Sequence, residues 1–287
     1  MHLHALIAAV YYEPSLITPA AHASIRQLLE HRFGGGSATD LAARAPGEGI
    51  CGEEVSVEEA FVDEFGIAHI PIGGALGQAI SPFDRGSGAV DTLDIRKELA
   101  TFDADEKVRA AILDFDSPGG MALGTPETAD AIASFSKPIY AFTRGMIASA
   151  AYWMAAACDG IYASQSASVG SIGTVISFND LSEMAKMQGI KVEVIKSGTF
   201  KGMGTPGTSL TEAQRNHLQA RVDILTAQFK SYVVAHRGPI SDEAMQGQMH
   251  LAGEALSIGL IDGIMDDKEE LVRHLLDSGI ISNGTTE

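Results

Sequence analysis

Ala110-Ala-Ile-Leu-Asp-Phe-Asp-Ser-Pro-Gly-Gly120 is the stretch from which the fold can be read. Ala110 to Phe115 is a nearly continuous apolar run, as expected of a strand buried on both faces of a parallel sheet. The run passes directly into a Ser-Pro-Gly-Gly turn. Glycine there lets a backbone N–H point outward with no side chain in the way. Upstream, Ile67 to Ile72 reads as a second buried strand leading into Gly73-Gly74, and residues 91–101 read as a helix. Downstream, the pattern predicts helix 123–136, strand 139–142, helix 149–157, strand 160–163, strand 172–176, helix 178–188 and strand 191–196. Strands alternating with short helices indicate an α/β architecture.

Thr211-Glu-Ala-Gln214 has the form of a capping box and opens a long helix. Its apolar stripe is Leu218, Val222, Leu225, Phe229 and Val233, and Gly238-Pro239 stops it. Residues 241–287 read as short helices around Leu260-Ile261-Asp262, followed by a polar tail. Residues 1–64 read as an N-terminal arm outside the main domain, which spans 65–287. In the arm, Thr18-Pro19 starts a helix with Ile25, Leu28, Leu29 and Phe33 on one face. Gly34-Gly-Gly-Ser37 then reads as a flexible linker.

The 287 residues are 45% hydrophobic and 20% charged, with a net charge of −17. That field repels nucleic acid, and no Lys/Arg-rich stripe counters it. Cys51 and Cys158 make neither a CxxC pair nor a disulfide framework. The histidines show no HExxH spacing, so neither a metal nor another cofactor is expected. The longest apolar run near the start, Ala5 to Val10, falls far short of the ~20 residues a spanning helix needs. The first residues also lack the basic region of a secretory signal. The expectation is a cytoplasmic protein with no transmembrane segment.

Three polar features fit together as chemistry. Ser149, in Gly145-Met-Ile-Ala-Ser149-Ala-Ala-Tyr-Trp153, falls where a strand gives way to a helix. Free N–H groups and the positive dipole end at a helix start favour an oxyanion on an acyl group attached there. A lone serine in this position is most often a cap or a packing residue. Gly119-Gly120 adds a turn able to aim an amide at a carbonyl, so the Gly120 and Ala150 N–H groups are the candidate oxyanion donors. Lys201, in Lys196-Ser-Gly-Thr-Phe-Lys201-Gly-Met-Gly-Thr-Pro206, is the candidate general base. A lysine base must be neutral, which burial among apolar groups brings about, and Phe200, Met203 and Pro206 could line it. His69 reads as a core residue, and His217 and His236 as exposed. A peptide could add as a strand beside Gly119, Met121, Ala122 and Leu123.

These residues occur in one order that resembles the signal peptide peptidase A family of serine peptidases, which includes the prohead proteases of tailed phages. The resemblance runs from about Ile67 to Ile264. It is carried by Asp116-Ser-Pro-Gly-Gly120, Ala148-Ser149 before an aromatic pair, Gly170-Ser-Ile-Gly173, Lys196-Ser-Gly-x-x-Lys201 and Gly259-Leu-Ile-Asp262. It implies a Clp/crotonase-type spiral of repeated β-β-α units, here with an N-terminal helical arm and C-terminal helices. It also implies Ser149 as nucleophile, Lys201 as base, and Ser171 as the hydroxyl that positions the lysine amine. Family members form homo-oligomeric rings, and the dyad can be completed by a neighbour's lysine.

Many bacterial members read Ser-Gly-Gly-Tyr where this chain reads Ser149-Ala-Ala-Tyr152, and the membrane-bound ones carry a spanning helix. Both departures point to a phage head-maturation endopeptidase acting on scaffold or capsid proteins, in the host cytoplasm or inside the procapsid. The alternatives are a bacterial signal peptide peptidase, a crotonase-type acyl-CoA enzyme with no serine nucleophile, and a ring-forming protein without activity.

Overall fold

Two apolar strands in tandem, 67–72 and 110–115, demand a sheet with both faces covered, and the chain builds one. The computed structural model describes residues 15–18, 59–86 and 88–281. In chain order the elements open with β1 (Ser15–Ile17) and β2 (Phe61–Val62). Next come β3 (Ile67–Gly73), β4 (Leu76–Gly77), α1 (Pro82–Gly86), β5 (Val90–Asp91) and α2 (Thr92–Ala104). They are followed by β6 (Ala110–Asp116), β7 (Gly119–Met121) and α3 (Thr125–Ala133). The next unit is β8 (Ile139–Thr143), β9 (Met146–Ala148) and α4 (Ala150–Ala155). Then come β10 (Gly160–Ala163), β11 (Ser168–Gly170), α5 (Ser182–Met187) and α6 (Glu212–Arg237). The chain closes with β12 (Met249–Leu251), α7 (Ala252–Ser257), β13 (Gly263–Ile264) and α8 (Lys268–Asp277).

A β-β-α unit recurs. The first strand of each unit enters a six-stranded sheet of order β13-β10-β8-β6-β3-β2, parallel except for β2. The second strand turns away into one of two smaller sheets, β1-β7-β4-β5 or β12-β11-β9. The helices α2, α3 and α4 then pack in a row. This is the repeated unit that the spiral architecture calls for.

Alternation along the strands divides the core into two layers. Ala68, Ile70 and Ile72 of β3 and Ala111, Leu113 and Phe115 of β6 face α2, α3 and α4. Ile67, Ala110, Ile112, Tyr140 and Phe142 face the other way, where Leu271 and Leu275 of α8 cover them. That second cover explains why both strands are apolar at nearly every position.

The long helix starts as its sequence dictates. The Thr211 hydroxyl accepts from Gln214 N–H, and the Gln214 side chain accepts from Thr211 N–H, closing the capping box. Its apolar stripe is buried only in the C-terminal half: Phe229 and Val233 are fully buried, whereas Leu218, Val222 and Leu225 are half-exposed.

Four expectations need correction. The fourth unit pairs through Ser168–Gly170 rather than 172–176, and residues 191–196 form no strand. Ile190 and Ile195 are exposed, because among the described residues no neighbouring strand offers 191–196 its backbone partners. The helix expected over 178–188 contracts to Ser182–Met187. The N-terminal arm also contributes to the domain: Leu16, in β1, is fully buried in the main core. The helix and linker expected over 19–37 lie outside the described residues, as does Cys51.

Candidate active site

Ser149 occupies the one-residue turn between β9 and α4. Its φ of 55° and ψ of −115° are unusual for a residue with a side chain. Such a conformation costs on the order of 1–3 kcal/mol and persists only where neighbours impose it. Here they do. Ser149 N–H donates to the Gly170 carbonyl of β11 at 2.8 Å, and the Ser149 carbonyl accepts from Trp153 N–H at 2.9 Å. Ser117 holds the strand below: its N–H donates to Met146 O, and its carbonyl accepts from Ala148 N–H. The Ser149 hydroxyl is buried and has no hydrogen-bond partner among the described residues. A buried, unpaired hydroxyl on a strained backbone is unfavourable for stability, so its presence calls for a reason other than packing.

The glycine turn lies against this serine. A Cβ on Gly119 would fall 2.9 Å from Ser149 Cβ and 2.8 Å from Ala148 O, and the residue has φ +94°. A Cβ on Gly120 would fall 1.9 Å from the Leu76 carbonyl of β4. Glycine is required at both positions, at Gly119 by the close approach of Leu16 O, Ala148 O and Ser149 Cβ and at Gly120 by strand packing. Gly119 N–H is directed to the Ser117 hydroxyl at 3.2 Å, and that hydroxyl donates to Gly74 O at 2.6 Å. Ser117 therefore braces the turn, a role the sequence reading missed although the residue lies inside the quoted motif. In α4 the first intrahelical bond is that of Trp153, so the amides of the opening turn, Ala150 among them, precede the helical ladder.

The aromatic pair after Ser149 fixes α4 from both sides. Tyr152 is fully buried and donates to the Leu260 carbonyl at 2.8 Å, and burial pushes its phenol well above the usual range. Trp153 stacks on Phe229 of α6, with ring centroids 4.7 Å apart and planes 11° apart. Asp262 accepts from Ile161 N–H at 2.7 Å and from Arg237. The Gly259-Leu-Ile-Asp262 motif thus holds α4 and β10 in place.

Ser171 follows β11, is 5% exposed and also has φ 55°; its N–H donates to Gln248 O at 2.7 Å. Lys201 is elsewhere. It is exposed, and Phe200 beside it is half-exposed and tilted against His217. Among the described residues, the apolar lining expected for Lys201 is therefore not formed. Among the described residues no amine reaches Ser149, and no histidine does either. His69 is bonded to Asp63 and stacked on Phe61, as a core residue should be.

Of the candidate peptide-binding residues, Met121 ends β7, Ala122 is partly buried and Leu123 is exposed. The outer edge of Gly119–Met121 is taken by β1. Among the described residues no helix is long and apolar enough to cross a membrane, and no cluster of ligating side chains could hold a metal ion.

The capsid assembly protease C of Escherichia phage lambda is 30% identical over 222 residues, covering 74% of this chain and 50% of the relative. The head-tail preconnector protein GP5 of Enterobacteria phage P21 is 29% identical over 278 residues, covering 93% and 55%. The chloroplastic serine protease SPPA of Arabidopsis thaliana is 26% identical over 204 residues, covering 69% and 30%. The chain spans about half the length of the two phage relatives. Among solved structures, an enoyl-CoA hydratase from Shewanella pealeana ATCC 700345 aligns with a TM-score of 0.48 and 15% identity, over 78% of this chain and 73% of that one. Residues 131–276, which carry Ser149, Ser171 and Lys201, match peptidase family S49, and the chain belongs to that family.

Proposed function

We propose that the chain is a serine endopeptidase with a Ser149–Lys201 dyad, acting on scaffold or capsid proteins in phage head maturation. The observation that carries this reading is the Ser149 hydroxyl: buried, unpaired, and held on a strained turn against Gly119. In the reaction, Ser149 Oγ attacks the scissile carbonyl and passes its proton to the neutral Lys201 amine. The oxyanion is received by the Gly120 and Ala150 amides. Collapse breaks the C–N bond, and the lysine returns the proton to the leaving amine. Water, deprotonated by the same lysine, then releases the acyl group from Ser149. Ser171 holds the amine in position.

Lys201 is supplied by a neighbouring subunit of a homo-oligomeric ring. Its exposure supports this, as do the exposed Met187, Ile190, Ile195 and Phe200 in the same part of the chain. Covering that surface removes the amine from water, and desolvation favours its neutral form. The phage role is supported by the likeness to the capsid assembly protease of phage lambda and the head-tail preconnector protein of phage P21.

The test is prolonged incubation of the purified protein with an unfolded polypeptide, beside Ser149→Ala. Fragments should accumulate only with the unaltered protein. Equal fragmentation by both would refute the assignment.

A further inference from the structure

The edge on which a substrate peptide would lie is already filled by the chain itself. β1 runs antiparallel to β7, with Ser15 opposite Met121, Leu16 opposite Gly120 and Ile17 opposite Gly119. Thr18 N–H donates to Pro118 O at 2.9 Å. Antiparallel ladders alternate between hydrogen-bonded and non-hydrogen-bonded pairs, so the Thr18–Pro118 bond makes Leu16 and Gly120 a hydrogen-bonded pair. The Leu16 carbonyl therefore faces the Gly120 N–H, the amide assigned to the oxyanion.

A second measure puts the same carbonyl beside the nucleophile. The point where a Gly119 Cβ would sit is 2.2 Å from Leu16 O and 2.9 Å from Ser149 Cβ. The segment is seated rather than draped: Leu16 is 0% exposed, Ile17 7% and Thr18 9%.

We propose that Ser15–Ile17 is an internal occupant of the peptide-binding edge, with Leu16 in the place of the residue whose carbonyl is attacked, and that it keeps the enzyme latent until it lifts away. This rests on the peptidase reading above. One amide cannot bind the Leu16 carbonyl and a substrate carbonyl together, so substrate entry requires β1 to leave. A strand of three residues can do so by local opening, without global unfolding.

The ladder supplies its own test. Ser15 and Met121 form a non-hydrogen-bonded pair, whose Cα atoms lie about 4.5 Å apart. That is within the span of a disulfide, about 4.4–6.8 Å. The full chain carrying Ser15→Cys and Met121→Cys, in a Cys51→Ser background, can be locked by oxidation and released by reductant. The readout is the rate at which a fluorophosphonate labels Ser149, with melting temperature recorded in both states. The oxidised protein should label at least tenfold more slowly than the same protein reduced, and melt no lower. Equal labelling in both states would overturn latency while leaving the nucleophile assignment intact. Failure of the two cysteines to pair under oxidation would overturn the seating of β1. Absence of labelling in both states would overturn the peptidase reading and this inference with it.

Discussion

Ser149 and Ser171 are neighbours at the ends of two paired parallel strands, and both have a φ of 55°. They follow Ala148 and Gly170, which face each other in the β9–β11 ladder, and Ser149 N–H donates to the Gly170 carbonyl at 2.8 Å. Two adjacent serines thus share a positive φ that glycine would adopt at lower cost. Local strain of this kind gathers where the rest of the fold over-determines a reactive geometry. Its presence at both serines supports assigning them to one site.

The strain at Ser149 can be measured through stability. Ser149→Gly and Ser149→Ala should both abolish cleavage, but the glycine variant should be more stable than the alanine variant by about 1 kcal/mol, because only glycine relieves the positive φ. Urea denaturation of the two variants gives the difference. Equal midpoints and slopes would mean that the backbone there stores no such strain.

Much of this site was legible in sequence, for a physical reason. Strands buried on both faces must be apolar throughout, so 67–72 and 110–115 announce themselves, and a capping box is a local signal that needs no tertiary context. The failures share a cause as well. Residues 172–176 and 191–196 have the composition of strands, yet pairing depends on a neighbour that sequence does not reveal. The pairing of Ser15–Ile17 with Gly119–Met121 was not legible in sequence, because three residues carry no periodicity. Lys201 could be singled out by its glycine-rich loop, but its exposed position could not.

Gly120 is constrained by strand packing. In Gly120→Ala the new methyl would collide with the Leu76 carbonyl, forcing β7 away from β4 and shifting the amide assigned to the oxyanion. Loss of one such donor typically costs ~3 kcal/mol of transition-state stabilisation, so kcat should fall by about two orders of magnitude. A variant with unchanged kcat would show that this amide plays no part.

Trp153 ties α4, the helix that follows Ser149, to the long helix through its stack on Phe229. Trp153→Ala should destabilise the protein by about 3–5 kcal/mol, the usual cost of deleting a large buried aromatic side chain. Thermal or urea unfolding measures it. A loss below 1 kcal/mol would indicate that α6 is held to the domain by other contacts.

If the lysine is supplied by a neighbouring subunit, two inactive proteins should rescue each other. Ser149→Ala and Lys201→Ala should each be inactive alone, and mixing them with subunit exchange should restore part of the cleavage. Lys201→Arg should not substitute for the wild-type residue, since a guanidinium stays protonated. Mixed assemblies verified by native mass spectrometry yet still inactive would place both residues of the dyad in one chain.

The central claim is that Ser149 is the acylated nucleophile. Its most direct test is extended exposure of the native protein to a fluorophosphonate, followed by peptide mapping in a mass spectrometer. The account predicts one adduct, on Ser149, absent from Ser149→Ala. Adduct formation on another residue, or none on Ser149 in protein that still cleaves its substrate, would contradict it.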